Sequence, residues 1–204
     1  MRAETCALGY ALAPMATEKE HQPYFQPHAT AQKFLTEQEM DRLIAEHAPL
    51  VSEGKLAYGH TDPTIRRSQV VYLGLIEKYR WLYERLWTAA QECNRLFFCV
   101  DVGGVESELQ LARYDSTDQG FYGWHTDFSG ARPLRKLSIT IQLSNSEDYE
   151  GGDLELLYDK EPYRLDRSRG TFLVFPSFML HRVTPVTRGT RWSLVAWIGG
   201  KRWR

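Results

Sequence analysis

Five residues in the second half of this 204-residue chain have types that a β-sheet core does not ordinarily accept. They are His125 and Asp127 in Gly123-Trp124-His125-Thr126-Asp127, His181 in Phe178-Met179-Leu180-His181-Arg182-Val183, and Arg191 with Ser193 in Arg191-Trp192-Ser193-Leu194-Val195. The text around them is aromatic and β-branched, which suits packed strands. Residues two apart on a strand project from one face, so His125 and Asp127 converge while Thr126 looks away. With the imidazole of His181 they would hold one face of a six-coordinate ion and leave its other positions open, a donor set that suits Fe(II). Read alone, the same residues are compatible with two satisfied core histidines and an aspartate in a turn. Arg191 weighs against that reading. Its guanidinium stays charged, and a buried unpaired charge is costly, so on an otherwise continuous buried strand it needs an anion or a route to water. A protein carboxylate would serve. A bound dicarboxylate, gripped by the guanidinium fork with the Ser193 hydroxyl alongside, also fits.

Taken together, His125-x-Asp127, His181 and Arg191-x-Ser193 resemble the signature of the 2-oxoglutarate-dependent Fe(II) dioxygenases, in particular their prolyl/lysyl hydroxylase-like branch. Tyr149-Glu150-Gly151-Gly152-Asp153-Leu154, the run from Gly170 to Ser177 and the run from His181 to Arg191 follow the order and approximate spacing of that branch's core. The resemblance covers residues 105 to 200, and 60 to 105 more weakly. It implies Fe(II) as cofactor and 2-oxoglutarate as cosubstrate, with ascorbate as an optional reductant. His125, Asp127 and His181 are then the metal ligands, and Arg191 and Ser193 take the far carboxylate of the cosubstrate. Tyr114 resembles a tyrosine that hydrogen-bonds 2-oxoglutarate in related hydroxylases, and Gln142 and Ser138 are grouped with it as cosubstrate contacts. Arg66 and Arg67, from a loop that borders the mouth in similar enzymes, join Tyr122 and Trp124 as candidate substrate contacts. The implied reaction is hydroxylation of an unactivated C–H of a peptidyl or free amino-acid side chain, consuming O2 and releasing succinate and CO2. Asp127 disfavours halogenation, since related halogenases carry a small residue there. The alternatives are a hydroxylase of another small metabolite, a non-catalytic cupin-like metal-binding module, and an aromatic peptide-docking protein. The module leaves Arg191 without a role.

These residues need a scaffold. From Glu106 onward the pattern has period two, and strands are expected near 107–115, 121–127, 136–143, 153–158, 162–166, 171–175, 180–185 and 190–198, a spacing that suggests a sandwich or barrel. The resemblance implies the same architecture, a mainly β double-stranded β-helix (jelly roll, cupin-like) with supporting N-terminal helices. In Leu137-Ser138-Ile139-Thr140-Ile141-Gln142-Leu143 apolar and polar residues alternate, so the Ser138, Thr140 and Gln142 face lines either a polar interior or solvent. Gly151-Gly152 reads as a tight turn and not a phosphate cradle. Upstream, Thr36-Glu37-Gln38-Glu39 is a capping box that opens a helix ended by Pro49. A strand from Arg67 to Leu73 follows. Next comes a helix over about 77–97, apolar on one side at Tyr79, Leu82, Leu86, Cys93 and Leu96.

Length and a hydrophobic content of 43% suit one domain. Residues 1–22 are expected as a variable or disordered tail and 23–204 as a single dioxygenase domain, with helical support over 23–104 and the jelly-roll core over 105–200. A net charge of -1 leaves no electrostatic footprint for nucleic acid. The basic clusters Arg132 to Lys136 and Lys201 to Arg204 read as solvated faces that could also help bind an acidic substrate. No apolar run is long enough to cross a membrane. Cys6, Cys93 and Cys99 are odd in number and lack ligand spacing, which favours a reducing, cytoplasmic compartment. The apolar run from Cys6 to Ala16 is too short and interrupted to argue for export. The expected partners are a small-molecule or peptide substrate and O2, and the oligomeric state is open.

Overall fold

The computed structural model describes residues 12–13, 27–56 and 59–202. Most of the expected N-terminal tail, with Cys6, lies outside the described residues, as do Trp203 and Arg204.

The chain runs through β1 (Leu12–Ala13) and β2 (Ala29–Ala31) into α1 (Glu37–His47). The capping box opens α1 as read. Thr36 Oγ1 accepts the Glu39 N–H at 3.2 Å and Glu39 Oε2 accepts the Thr36 N–H at 2.9 Å, which satisfies two donors that helix geometry leaves orphaned. Pro49 sits in one further 3-10 turn, Ala48–Leu50. Then come β3 (Ser52–Glu53), β4 (Arg66–Arg67) and β5 (Gln69–Leu73). The second helix is composite: a 3-10 turn at Glu77–Tyr79, α2 (Arg80–Cys93), and a π-helical turn at Asn94–Phe98 that Cys99 closes in the left-handed region. The remaining strands are β6 (Gly104–Val105), β7 (Leu109–Asp115), β8 (Phe121–His125), β9 (Arg135–Gln142) and β10 (Tyr149–Gly151). After them follow β11 (Leu154–Leu157), β12 (Tyr163–Arg164), β13 (Phe172–Pro176), β14 (Leu180–Val183) and β15 (Val186–Gly199).

Two antiparallel sheets face each other as a jelly roll. The major sheet has the order β1-β2-β13-β9-β15-β7-β5-β3, with β6 and β10 added along β15, and the minor sheet has the order β12-β11-β14-β8-β4. All eight expected core strands are present. The last begins at Val186, earlier than read, because β10 pairs with its first residues. The single strand expected from Arg67 to Leu73 is two strands in different sheets: β4 pairs with β8 and β5 with β7. The chain changes sheets at Ser68, whose carbonyl still accepts the Gly54 N–H at 2.7 Å in the register of β3 and β5.

Strand alternation sorts the core into two layers. Leu109 and Leu111 of β7, Ile139 and Ile141 of β9 and Leu194 of β15 turn toward the helices and join Met40, Leu82 and Leu86. Burying each such side chain contributes about 1.5–3 kcal/mol. The opposite side of the major sheet places Ala112, Tyr114, Leu173 and Phe175 against Leu154, Leu156 and Val183 of the minor sheet. Ser138, Thr140 and Gln142 lie on this inner side and are buried, so the polar face lines an interior. The minor sheet carries ion pairs in place of an apolar outer layer: Arg182 with Glu155 at 2.7 Å, and Arg164 and Arg167 with Asp153.

Candidate active site

A cavity of about 650 Å³ opens between the sheets. On its wall His125, Asp127 and His181 offer ligand atoms that all lie within 4.8 Å of one another. His181 Nε2 is 3.5 Å from Asp127 Oδ2, and His125 Nε2 is 3.9 Å from Asp127 Oδ1. Strand pairing explains the convergence. His181 of β14 lies opposite His125 of β8, but Val183 lies opposite Tyr122, so β8 carries one extra residue. This bulge at Gly123–Trp124 brings Tyr122 and His125 to the same inner side, where their rings stack at 3.5 Å. Asp127 lies just past the strand, its N–H held by the Ser177 carbonyl at 2.9 Å.

Both imidazoles are oriented through Nδ1, His125 by the Gly123 carbonyl at 2.8 Å and His181 by the Met179 carbonyl at 2.9 Å. A carbonyl only accepts, so each Nδ1 carries the proton and each Nε2 turns a lone pair to the centre. Burial, and then the neighbouring His181, lowers the His125 pKa to about 3, which keeps the ring neutral as a ligand must be. Burial alone would raise the Asp127 pKa. His181, His125, the Ser138 hydroxyl and Arg135 outweigh it and hold the carboxyl below its ordinary range. Ser138 Oγ donates to Asp127 Oδ2 at 2.6 Å and meets Ser177 Oγ at 3.0 Å. Two imidazoles and a carboxylate held below its ordinary range, each fixed from behind, fit an Fe(II) ion.

Arg191, only 1% exposed, forms a second centre of the same cavity, on the major-sheet side. Its Nη2 donates to Gln142 Oε1 at 3.0 Å and its Nη1 to Ser193 Oγ at 3.3 Å, while Nε is buried with no acceptor. The guanidinium stands 5.4 Å from the Tyr114 ring centre. No carboxylate among the described residues pairs with it, so a bound carboxylate such as the far end of 2-oxoglutarate would complete its coordination. Gly152 makes the room. Its φ is +63°, and a Cβ there would stand 3.0 Å from Arg191 Cδ and 2.9 Å from Val186 Cγ2.

The cavity brings together His125, Asp127, His181, Tyr114, Arg191, Ser193, Arg66 and Tyr122. Gln142 and Ser138 stand behind it, bonded to Arg191 and Asp127 respectively. Two expected substrate contacts fall outside. Arg67 stacks over Phe121 at 4.7 Å, and Trp124 is sent outward by the bulge to lie under Arg182 at 4.5 Å. Arg135 and Lys136, read as part of a solvated cluster, are 9% and 3% exposed. They open β9, where Gly199 pairs with Arg135 and Ile198 with Leu137; the extra residue, Lys136, rephases Arg135 into the cavity. Arg135 bonds Glu106 Oε2 at 3.0 Å and lies 3.7 Å over the Trp197 ring. Regular alternation would have put it on the helix side with Leu137, which is why spacing alone does not find it.

A family model described as the 2OG-Fe(II) oxygenase superfamily matches residues 109–199. A PKHD-type hydroxylase of Gloeothece citriformis is 34% identical over 165 residues, covering 78% of this chain and 71% of its own. PKHD-type hydroxylases of two Synechococcus strains are 28% identical over 151 residues, 72% of this chain and 66% of theirs, so the alignment spans just under two thirds of those relatives. Among solved structures, a Trichoplax adhaerens prolyl hydroxylase in complex with a hypoxia inducible factor oxygen degradation domain peptide superposes with a TM-score of 0.72 at 21% identity, covering 85% of this chain and 84% of that one. A Pseudomonas putida prolyl-4-hydroxylase gives 0.68 at 22% identity, covering 86% and 93%. At these identities the structural likeness is one of fold.

Proposed function

We propose, from the premise that this chain belongs to the 2OG-Fe(II) oxygenase superfamily, that it is an Fe(II)- and 2-oxoglutarate-dependent hydroxylase of a peptidyl or free amino-acid side chain. The observation that carries the reading is the pairing of the His125, Asp127 and His181 centre with a buried Arg191 that has no anion among the described residues. A metal-binding module needs no such arginine. The iron and the keto acid supply the oxidising chemistry, in which 2-oxoglutarate, O2 and a C–H bond become succinate, CO2 and C–OH.

The residues of this chain bind, orient and exclude water. His125, Asp127 and His181 would hold the ion, each through one ligand atom. Arg191, held by Gln142 and flanked by Ser193 and Tyr114, takes the far carboxylate. Ser138 fixes the Asp127 carboxylate. Burial pushes the Tyr122 phenol up to about 12, so it stays protonated beside the metal ligands. Enclosure between two sheets strengthens each of these electrostatic contacts. Three cysteines, an odd number, suit a reducing, cytoplasmic setting, and no helix among the described residues is long and apolar enough to cross a membrane.

The test begins anaerobically, with Fe(II) and 2-oxoglutarate added to metal-free protein and ascorbate present to keep the iron ferrous. A visible charge-transfer band, succinate on admission of O2, and neither in His125→Ala are the expected results. Bound metal with no band and no succinate would overturn the hydroxylase in favour of a binding module.

A further inference from the structure

Arg66 is a further buried cation of the cavity, and the chemistry above does not use it. It is 6% exposed. Its Nε donates to Ser68 Oγ at 2.6 Å and its Nη1 to the Lys55 carbonyl at 3.1 Å. Nη2 is buried with no hydrogen-bond partner, and no carboxylate among the described residues pairs with the fork. The guanidinium lies 4.7 Å over the Tyr122 ring, which itself stacks on His125 at 3.5 Å, so the fork stands one aromatic ring from a metal ligand. Its seat is built. β4 pins the backbone opposite Tyr122, and Gly54 leaves space for the side chain, since a Cβ there would stand 2.8 Å from Arg66 Nε and 2.5 Å from Ser68 Oγ. Of the acids near the cavity, Asp127 belongs to the proposed metal centre, Glu106 is taken by Arg135, and Glu108 is exposed and forms no ion pair with Arg66. Burying an unpaired guanidinium is costly, and its planar fork matches a carboxylate.

We propose that the primary substrate carries a carboxylate, that Arg66 grips it while the C–H lies at the iron, and that Arg66 is therefore the specificity residue of this enzyme. The inference rests on the hydroxylase reading and deepens it. A free amino acid can supply this carboxylate, as can an acidic side chain or the C-terminus of a peptide.

Protein loaded anaerobically with Fe(II) and excess 2-oxoglutarate, so that Arg191 is already engaged, is titrated with amino acids, N-acetyl amino acids and short peptides. Each is supplied as the acid and as its carboxamide, and binding is read by calorimetry and by the change in the charge-transfer band. The expected result is an acid that binds about tenfold or more tightly than its amide, the scale of a charge-assisted hydrogen bond. In Arg66→Gln the acid falls to the level of the amide. Gly54→Ala keeps the charge but displaces the fork, and it erodes the same preference; thermal midpoints report that each variant folds. Binding of free acids alone assigns a small metabolite, and binding of acidic peptides alone assigns a peptidyl substrate; either supports the proposal. Equal binding of acid and amide, a preference that survives both variants, or no acid bound at all overturns it. The band separates two failures: its absence sinks the hydroxylase reading, whereas a band without acid preference sinks the role of Arg66 alone.

Discussion

Replacing Arg191 with methionine asks whether the buried guanidinium is present for a ligand or for the fold. Two effects oppose each other in the ligand-free protein. Methionine removes a buried charge that no anion among the described residues neutralises, and it adapts to irregular space. It also strips Gln142 Oε1 of its donor at 3.0 Å, a loss of about 1–3 kcal/mol. The two offset, so the ligand-free variant should melt within a few degrees of the parent. With 2-oxoglutarate the balance is one-sided. Losing charge-assisted contacts worth about 3 kcal/mol weakens the cosubstrate about a hundredfold. At a concentration about 100 times the parent Kd, the ligand stabilises the parent by about 2.7 kcal/mol. For a domain of this size that raises the midpoint by about 5–11 °C. The variant, near half saturation, gains only about 0.4 kcal/mol, or about 1–2 °C. Scanning calorimetry of Mn(II)-loaded protein, with and without 2-oxoglutarate, reads both quantities. A variant that melts far below the parent without ligand yet keeps the full ligand-induced rise would refute the reasoning and make Arg191 a structural residue.

Ser138→Ala removes the 2.6 Å hydrogen bond to Asp127; metal titration should show affinity lower by about 10–100-fold, with the fold retained. Gly152→Ala forces a side chain at φ +63° into contact with Arg191 and Val186, so denaturant unfolding should show a loss of about 1–3 kcal/mol and the 2-oxoglutarate requirement should rise. Burial lowers the His28 pKa to about 4 from 6.5. Between those values the unfolded chain binds a proton that the folded chain excludes, so this contribution is complete above about pH 6.5 and is lost as pH falls toward 4. The unfolding midpoint of His28→Phe should therefore depend less steeply on pH across that window, and equal slopes would sink the assignment.

The proposed metal ligands stand out in the sequence because their types are out of place, and the strands because alternation survives along most of each one. Where strand phase breaks, reading from parity fails. Tyr122 and Trp124 share a parity and so look like a pair, yet the extra residue in β8 puts one inside and one outside. Arg135 has the parity of Leu137, and the extra residue in β9 reverses its side. Arg67 opens a run that reads as one strand to Leu73, but the chain crosses from one sheet to the other at Ser68. Such irregularities are set by pairing with distant strands and leave little local mark. The same holds for partners. Glu106 satisfies Arg135 from 29 residues away and Gln142 steadies Arg191 from 49, distances over which no local pattern speaks. Whether the polar side of β9 faces solvent or an interior is also decided elsewhere, by the helices that cover the opposite side of the major sheet.

His125 and His181 come from the minor sheet, whereas Arg191 and Gln142 come from the major sheet that the helices back. A dicarboxylate anchored at the metal and at Arg191 is thus fastened to both layers at once. It acts as a removable cross-link, and its cohesion matters most for the layer with charge pairs in place of an apolar backing. Away from that tie the two layers meet through Leu154, Leu156 and Val183 packed on Ala112, Leu173 and Phe175. On the proposed reaction, cutting 2-oxoglutarate to succinate would also shorten the tie, and release of product would become a mechanical as well as a chemical event.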